Sequence, residues 1–169
     1  LACTSCSDSW LDLNPSTSVP TDQAFSSLED AQSALNGIYR LASAHSYYGD
    51  NFFYFGDCRA ADVQARMTKG DGRRVSPYYE YNVKATDSFN SSLPWNQVYK
   101  VIRQTNNLIA ATESGLIKTT DEAALNEIKA QALAMRGLAL YDLIRVFAMP
   151  YSYDNGQSLG VPIVTIATD

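Results

Sequence analysis

A mainly α-helical fold is predicted by three features of the sequence. Apolar residues recur at helical spacing through two long stretches, 95–114 and 122–147, which are joined by a short connection. A further helical stripe opens near Ser27. The roughly fifty residues between that stripe and the pair are rich in rings but hold no sustained period, which marks long irregular loops with a task of their own.

Each element follows from local chemistry. Ser27 stands three residues before Asp30, an acidic variant of the capping box, and Leu28, Ala31, Leu35, Ile38 and Ala42 then share a face, so the first helix is predicted from Ser27 to about Ala44. Pro94 suits the first position of a second helix, because its missing N–H has no intrahelical partner there anyway. That helix is predicted from Trp95 to about Ser114, with Trp95, Val98, Tyr99, Ile102, Asn106 and Ile109 on one face and Gly115 as its C-terminal stop. Thr119 and Glu122 form a capping box that opens a third helix, whose stripe of Leu125, Ile128, Ala132, Met135, Ala139 and Leu143 lasts to about Phe147. Pro150 ends it. Within the irregular stretch a short helix is expected around Asp57 to Met67, and beyond Pro150 the segment from Tyr151 to Gly160, including Asp154-Asn155-Gly156, reads as turns. Val161-Pro162-Ile163-Val164 is a short extended exit.

Two long amphipathic helices with a short connection pack antiparallel, each burying its stripe on the other, in a hairpin of the tetratricopeptide kind. One such hairpin does not close a solenoid, so further repeats are expected beyond this chain.

With 169 residues, 46% hydrophobic and 18% charged, the chain can bury a core as a single domain. A net charge of -5 leaves no broad basic surface for a phosphate backbone, which argues against a nucleic-acid partner. Lys69, Arg73 and Arg74 lie among glycines and read as a solvated loop. No apolar run approaches the eighteen or so residues needed to span a bilayer.

The three cysteines are Cys3, Cys6 and Cys58. Cys3 and Cys6 have the gap of a redox or half-zinc motif, but no second pair follows and the one histidine, His45, lies far along the chain, so no metal or other cofactor is expected. Thr4-Ser5-Cys6 instead fits the end of a lipoprotein signal, with small residues before a cysteine that takes lipid; Leu1-Ala2-Cys3 fits the same pattern, and Cys6 is favoured. Residues 1–21 then divide into a signal remnant and a Ser-, Thr- and Pro-rich tether, and residues 22–169 form the folded domain.

These residues also resemble a known family. Ser5-Cys6-Ser7-Asp8-Ser9-Trp10-Leu11-Asp12-Leu13-Asn14-Pro15 is similar to the start of SusD/RagB proteins. Ala24-Phe25, Glu29-Asp30-Ala31 and Ala34-Leu35-Asn36-Gly37-Ile38-Tyr39 resemble that family's first helix, and Trp95, Tyr99, Ile102 and Asn106 its W-x3-Y-x2-I-x3-N pattern. Ala134-Met135-Arg136-Gly137-Leu138-Ala139-Leu140-Tyr141-Asp142-Leu143, with Arg145, Phe147 and Pro150, resembles its signature third helix, and Leu159-Gly160-Val161-Pro162 its exit. Gln131, Gly137 and Ala148 depart from the usual glutamate, alanine and glycine. The resemblance implies an incomplete SusD-like α-solenoid. It further implies a lipoprotein facing outward from the outer membrane, held there by lipid, that delivers oligosaccharide to a SusC-like TonB-dependent transporter and catalyses nothing.

Sugars present flat C–H faces and many hydroxyls, so a capture site needs rings beside amide, carboxylate or guanidinium groups. Tyr78, Tyr79, Tyr81 and Asn82 are the first-choice ligand residues, with Arg59 and Asp62 as hydroxyl partners. Trp95, Tyr99 and Asn106 are expected to be structural, and Arg136 and Asp142 to be helix-surface or inter-helix charges. Asp57 and Asp62 form a carboxylate pair without any hydrolase signature, and Asn90-Ser91-Ser92 is a chance sequon. Capture of peptides and a helical-repeat adaptor for protein partners are the competing functions.

Overall fold

The structure, a computed structural model, describes residues 24–60, 76–82, 84 and 94–167. Cys3, Cys6, the tether, Asp62 and the sequon lie outside the described residues. In chain order the elements are α1 (Leu28–Ala42), a π-helical turn (His45–Gly49), α2 (Asn51–Asp57), α3 (Ser76–Tyr79), α4 (Pro94–Glu113), α5 (Glu122–Phe147) and α6 (Tyr151–Asp154).

The capping box at the start of α1 is formed in full. Ser27 Oγ accepts from the Asp30 amide at 3.2 Å, and Asp30 Oδ2 accepts from the Ser27 amide at 2.9 Å. Hydrogen bonds from the Ser27 and Ser26 hydroxyls hold the Asp30 carboxyl below its ordinary range. At the other end Gln97, reaching over from α4, donates to the Leu41 carbonyl at 2.8 Å and satisfies one of the last-turn acceptors.

α4 and α5 are antiparallel, as three contacts show. Trp95 stacks edge-on against Phe147, Arg136 donates to Asn106 Oδ1 at 3.0 Å, and Lys129 pairs with Glu113 at 2.8 Å, so position advances on one helix as it recedes on the other. α1 lies across this pair. Ala31, Leu35, Ile38 and Ala42 of α1 meet Val98, Ile102 and Ile109 of α4 and Leu125, Ile128, Ala132, Ala139 and Leu143 of α5 in one core. The predicted stripes are the buried faces, because a 3.6-residue turn returns those positions to one side.

The connection between α4 and α5 is tied down twice. Gly115 takes φ +72°, a left-handed conformation that ends α4 and would strain any residue with a Cβ. Lys118 then donates its amide to the Ser26 carbonyl at 3.1 Å in a parallel bridge to the start of α1.

One local expectation is corrected. The N-cap of α5 is Asp121, whose side chain accepts from the Ala124 amide at 3.0 Å. Thr119 acts one step earlier, accepting from the Asp121 amide at 3.0 Å, and so shapes the approach to the helix. α2, with Phe52 and Phe55 on its inner side held by rings elsewhere, occupies Asn51–Asp57 and ends where the short helix expected around Asp57 to Met67 begins. Residues 61–67 lie outside the described residues.

After α5 the chain turns through Asp154, whose carboxylate accepts from the amides of Gly156 and Ser158 at 2.9 and 2.7 Å. The exit segment then runs along α4. Tyr99 donates to the Pro162 carbonyl at 2.9 Å, and buried Asn106 donates to the Val164 carbonyl at 2.9 Å. The spacing Trp95, Tyr99, Asn106 therefore builds a row of fasteners, one for Phe147 and two for the exit. Replacing Asn106 with Ala leaves the Val164 carbonyl and Arg136 without that partner. Denaturant unfolding should then show a loss of about 1–3 kcal/mol, with faster amide exchange at residues 163–166; unchanged stability would show that this side chain does not fasten the exit.

Candidate functional site

The ring-rich stretch after α1 is held on the hairpin by one carboxylate. Asp142 projects from α5 into the core, 2% exposed, and its Oδ2 accepts hydrogen bonds from the hydroxyls of Tyr47 and Tyr48, each at 2.5 Å. Of the two alternatives expected for Asp142, a helix-surface or an inter-helix charge, the structure shows the second: the residue lies beside Leu143 and three residues after Ala139, on the buried stripe, and joins α5 to the π-helical turn. Arg136 does bridge helices, through its bond to Asn106.

The π turn presents both tyrosines to this carboxylate. It is drawn tight by the amides of Tyr47 and Gly49, which share the Ala44 carbonyl at 2.8 and 2.9 Å. A Cβ on Gly49 would stand 2.8 Å from that carbonyl, so the close approach requires glycine. His45 Nδ1 and Asp50 Oδ2, 2.8 Å apart, brace the turn from outside. Around the anchor the rings of Tyr47, Tyr48 and Phe52 pack at centroid distances of 4.4 to 5.6 Å, tilted or edge-on as ring quadrupoles prefer.

A second ring path leads toward the candidate ligand residues. Phe55 on α2 meets Tyr78 edge-on at 5.6 Å and lies 6.4 Å from Phe147, which joins it to Trp95 and Tyr99. Tyr78 is 3% exposed and packs with Cys58, so its ring is a floor rather than a display surface; burial pushes its hydroxyl up to about 12 and raises the Cys58 thiol as well. Tyr79 and Tyr81 are exposed, at 40% and 69%, and Asn82 is exposed beside them. Tyr81 sits at φ +55°, a left-handed conformation uncommon outside glycine, where its hydroxyl donates to the Arg59 carbonyl. The Arg59 guanidinium lies 4.8 Å from the Phe55 ring centroid and 5.7 Å from that of Tyr81. Of the candidate residues, Arg59 and Tyr81 are thus in contact, Tyr78 lies beneath Phe55, and Asp62 is outside the described residues.

Next to this rim a cleft of about 700 Å³ opens between α2 and the C-terminal end of α5, lined by Phe52, Phe55, Arg59, Arg145, Met149 and Tyr151 among others. Its size and mixture of rings with a few charged groups fit a small-ligand site. Arg145, Met149 and Tyr151 belong to no ring motif read from the sequence; Tyr151 stands in the predicted turn, 73% exposed. No helix among the described residues is long and apolar enough to cross a membrane.

Among the described residues, a helical scaffold holds rings and guanidinium groups around an open cleft. Residues 9–169 match a family model, SusD-like, described as starch-binding and associating with the outer membrane. The chain belongs to this SusD-like family. It is 31% identical over 151 residues to SusD-like protein P2 of Formosa agariphila, a match that covers 86% of this chain and 28% of that protein. The crystal structure of a SusD superfamily protein from Bacteroides thetaiotaomicron is similar at 69% identity and a TM-score of 0.79, covering 85% of this chain and 31% of that one. A candidate sugar-binding protein from Bacteroides vulgatus is similar at 36% identity and a TM-score of 0.74, covering 86% of this chain and 32% of that one. The chain spans less than a third of the length of each.

The anchor has a signature in alkali. Burial, with the bond to Asp142 adding, raises the Tyr47 hydroxyl well above the usual phenol range and pushes Tyr48 from 10.0 to about 12. An acid whose folded pKa is raised contributes stability in full below its unfolded pKa and loses it as pH climbs toward the folded value. Between pH 10 and about 12 the protein should therefore lose stability, and Tyr48→Phe should show a shallower loss over that window in denaturant titrations. Identical slopes for the two proteins would remove Tyr48 from the anchor.

Proposed function

We propose that this chain belongs to a surface-exposed lipoprotein, anchored through lipid on Cys6, that binds oligosaccharides and delivers them to a SusC-like TonB-dependent transporter without catalysing any reaction. The observation that carries the reading is the match of residues 9–169 to a family described as starch-binding and associating with the outer membrane. The similarity of this chain to the candidate sugar-binding protein from Bacteroides vulgatus supports the same ligand class. The local chemistry agrees: Tyr79 and Tyr81 offer exposed ring faces, and Arg59 and Asn82 offer donors for hydroxyls. The outward side of α5, where Leu133, Leu138 and Tyr141 are 39% to 57% exposed, supports the expectation of further helices packed there in the whole protein.

Calorimetric titration of the full-length protein with maltoheptaose, backed by a glycan array, tests the reading. Tyr79→Ala combined with Tyr81→Ala should weaken saccharide binding about fivefold or more, since each stacked ring is worth roughly 0.5–1.5 kcal/mol. Tyr78 is left intact because its burial would confound the result. Unchanged binding in the double variant would move the site elsewhere. Binding of peptides with no binding of any saccharide on the array would overturn the proposed ligand class.

A further inference from the structure

The cleft beside α2 has a charge opposite to that of the chain that builds it. The protein carries a net charge of -5, yet the charged side chains lining the cleft are Arg59 and Arg145, with no carboxylate among the described lining residues. Among the described residues neither guanidinium makes an ion pair closer than 3.8 Å. Arg59 makes no ion pair among the described residues and lies over Phe55 and Tyr81. Arg145 Nη2 is 3.8 Å from Asp142 Oδ1, beyond hydrogen-bond length, while the other oxygen of Asp142 is engaged by the two tyrosines. Arg145 lies instead over Phe52 and Tyr141, at 5.4 and 5.3 Å.

A guanidinium stacked on a ring keeps its in-plane N–H donors for an oxyanion, and a fork of such donors matches a carboxylate or a sulfate. The remaining lining, with Phe55, Met149 and Tyr151, suits the C–H faces of a sugar ring. We infer that this cleft takes an anionic saccharide, whose carboxylate or sulfate ester is received by Arg59 and Arg145. The inference rests on the saccharide-binding reading above and narrows its substrate class.

Titration of the full-length protein with hexagalacturonate, its fully methyl-esterified counterpart, a sulfated carrageenan hexamer and maltoheptaose separates the two levels. One of the two anionic probes should bind at least about tenfold tighter than either neutral one, and the gap should shrink when salt is raised from about 0.05 to 0.5 M. Which anionic probe binds identifies the group as carboxylate or sulfate. Arg59→Gln should narrow the gap, and Ala60→Glu, which adds a negative charge to the exposed rim without removing a contact, should weaken the anionic probe while sparing the neutral one. Arg145→Lys keeps the charge while losing the fork, and circular dichroism of each variant checks the fold. Neutral probes binding as tightly as the anionic ones would overturn this inference and leave saccharide capture standing. If hexaglutamate binds through Arg59 and no saccharide binds, both readings fall.

Discussion

A buried carboxylate on the longest helix is the point from which the ring-bearing part of the molecule hangs. Asp142 leaves water only because Tyr47 and Tyr48 bring their hydroxyls to it. A buried charged group without partners is costly, and charge-assisted O–H···O bonds offset that cost more effectively than neutral ones. The dependence is mutual, since the two hydroxyls have the same need for an acceptor. The turn is consequently held in one place on α5, and Phe52 and Phe55 follow it into position on α2.

A second set of fasteners works along α4. Trp95, Tyr99 and Asn106 share a helical face, yet each meets a different neighbour: Phe147, the Pro162 carbonyl and the Val164 carbonyl. Both the entry of the ring-rich stretch and the exit segment are thus fixed to the same hairpin. Arg59 and Tyr81 at the rim, and Arg145 and Tyr151 in the cleft, sit on a frame fixed by contacts within the chain. Such preorganisation spares a binding protein part of the ordering entropy on association.

The helices were legible in the sequence because packing and pattern agree there. Ala31, Leu35 and Ile38, or Ile128, Ala132 and Ala139, are apolar at positions that helical geometry brings to one side, and all are buried. Caps were legible where the side chain has one local partner, as at Ser27 and Gly115, and misassigned where two candidates stand close together, as with Thr119 and Asp121. α2 was not legible because its period is hidden: Phe52, Phe53, Tyr54 and Phe55 are all aromatic, and only tertiary contacts separate the inner side from the outer. Asp142 was only partly legible, for a different reason. Its position on the apolar stripe was visible, but its partners lie more than ninety residues away and had no local signal. Of the candidate ligand residues, exposure distinguishes Tyr79 and Tyr81 from Tyr78, a distinction that depends on where Phe55 and Cys58 come to rest.

Hydrogen–deuterium exchange on the Asp142→Asn variant tests the central dependence most directly. An amide of nearly the same shape weakens the acceptor while leaving the packing volume of α5 unchanged. If Asp142 is the fixed point, amides from His45 to Asp57 should lose protection while those in the middle of α4 keep theirs. Equal loss across α1, α4 and α5, or no loss around α2, would show that the ring-bearing segment is held by something other than this carboxylate.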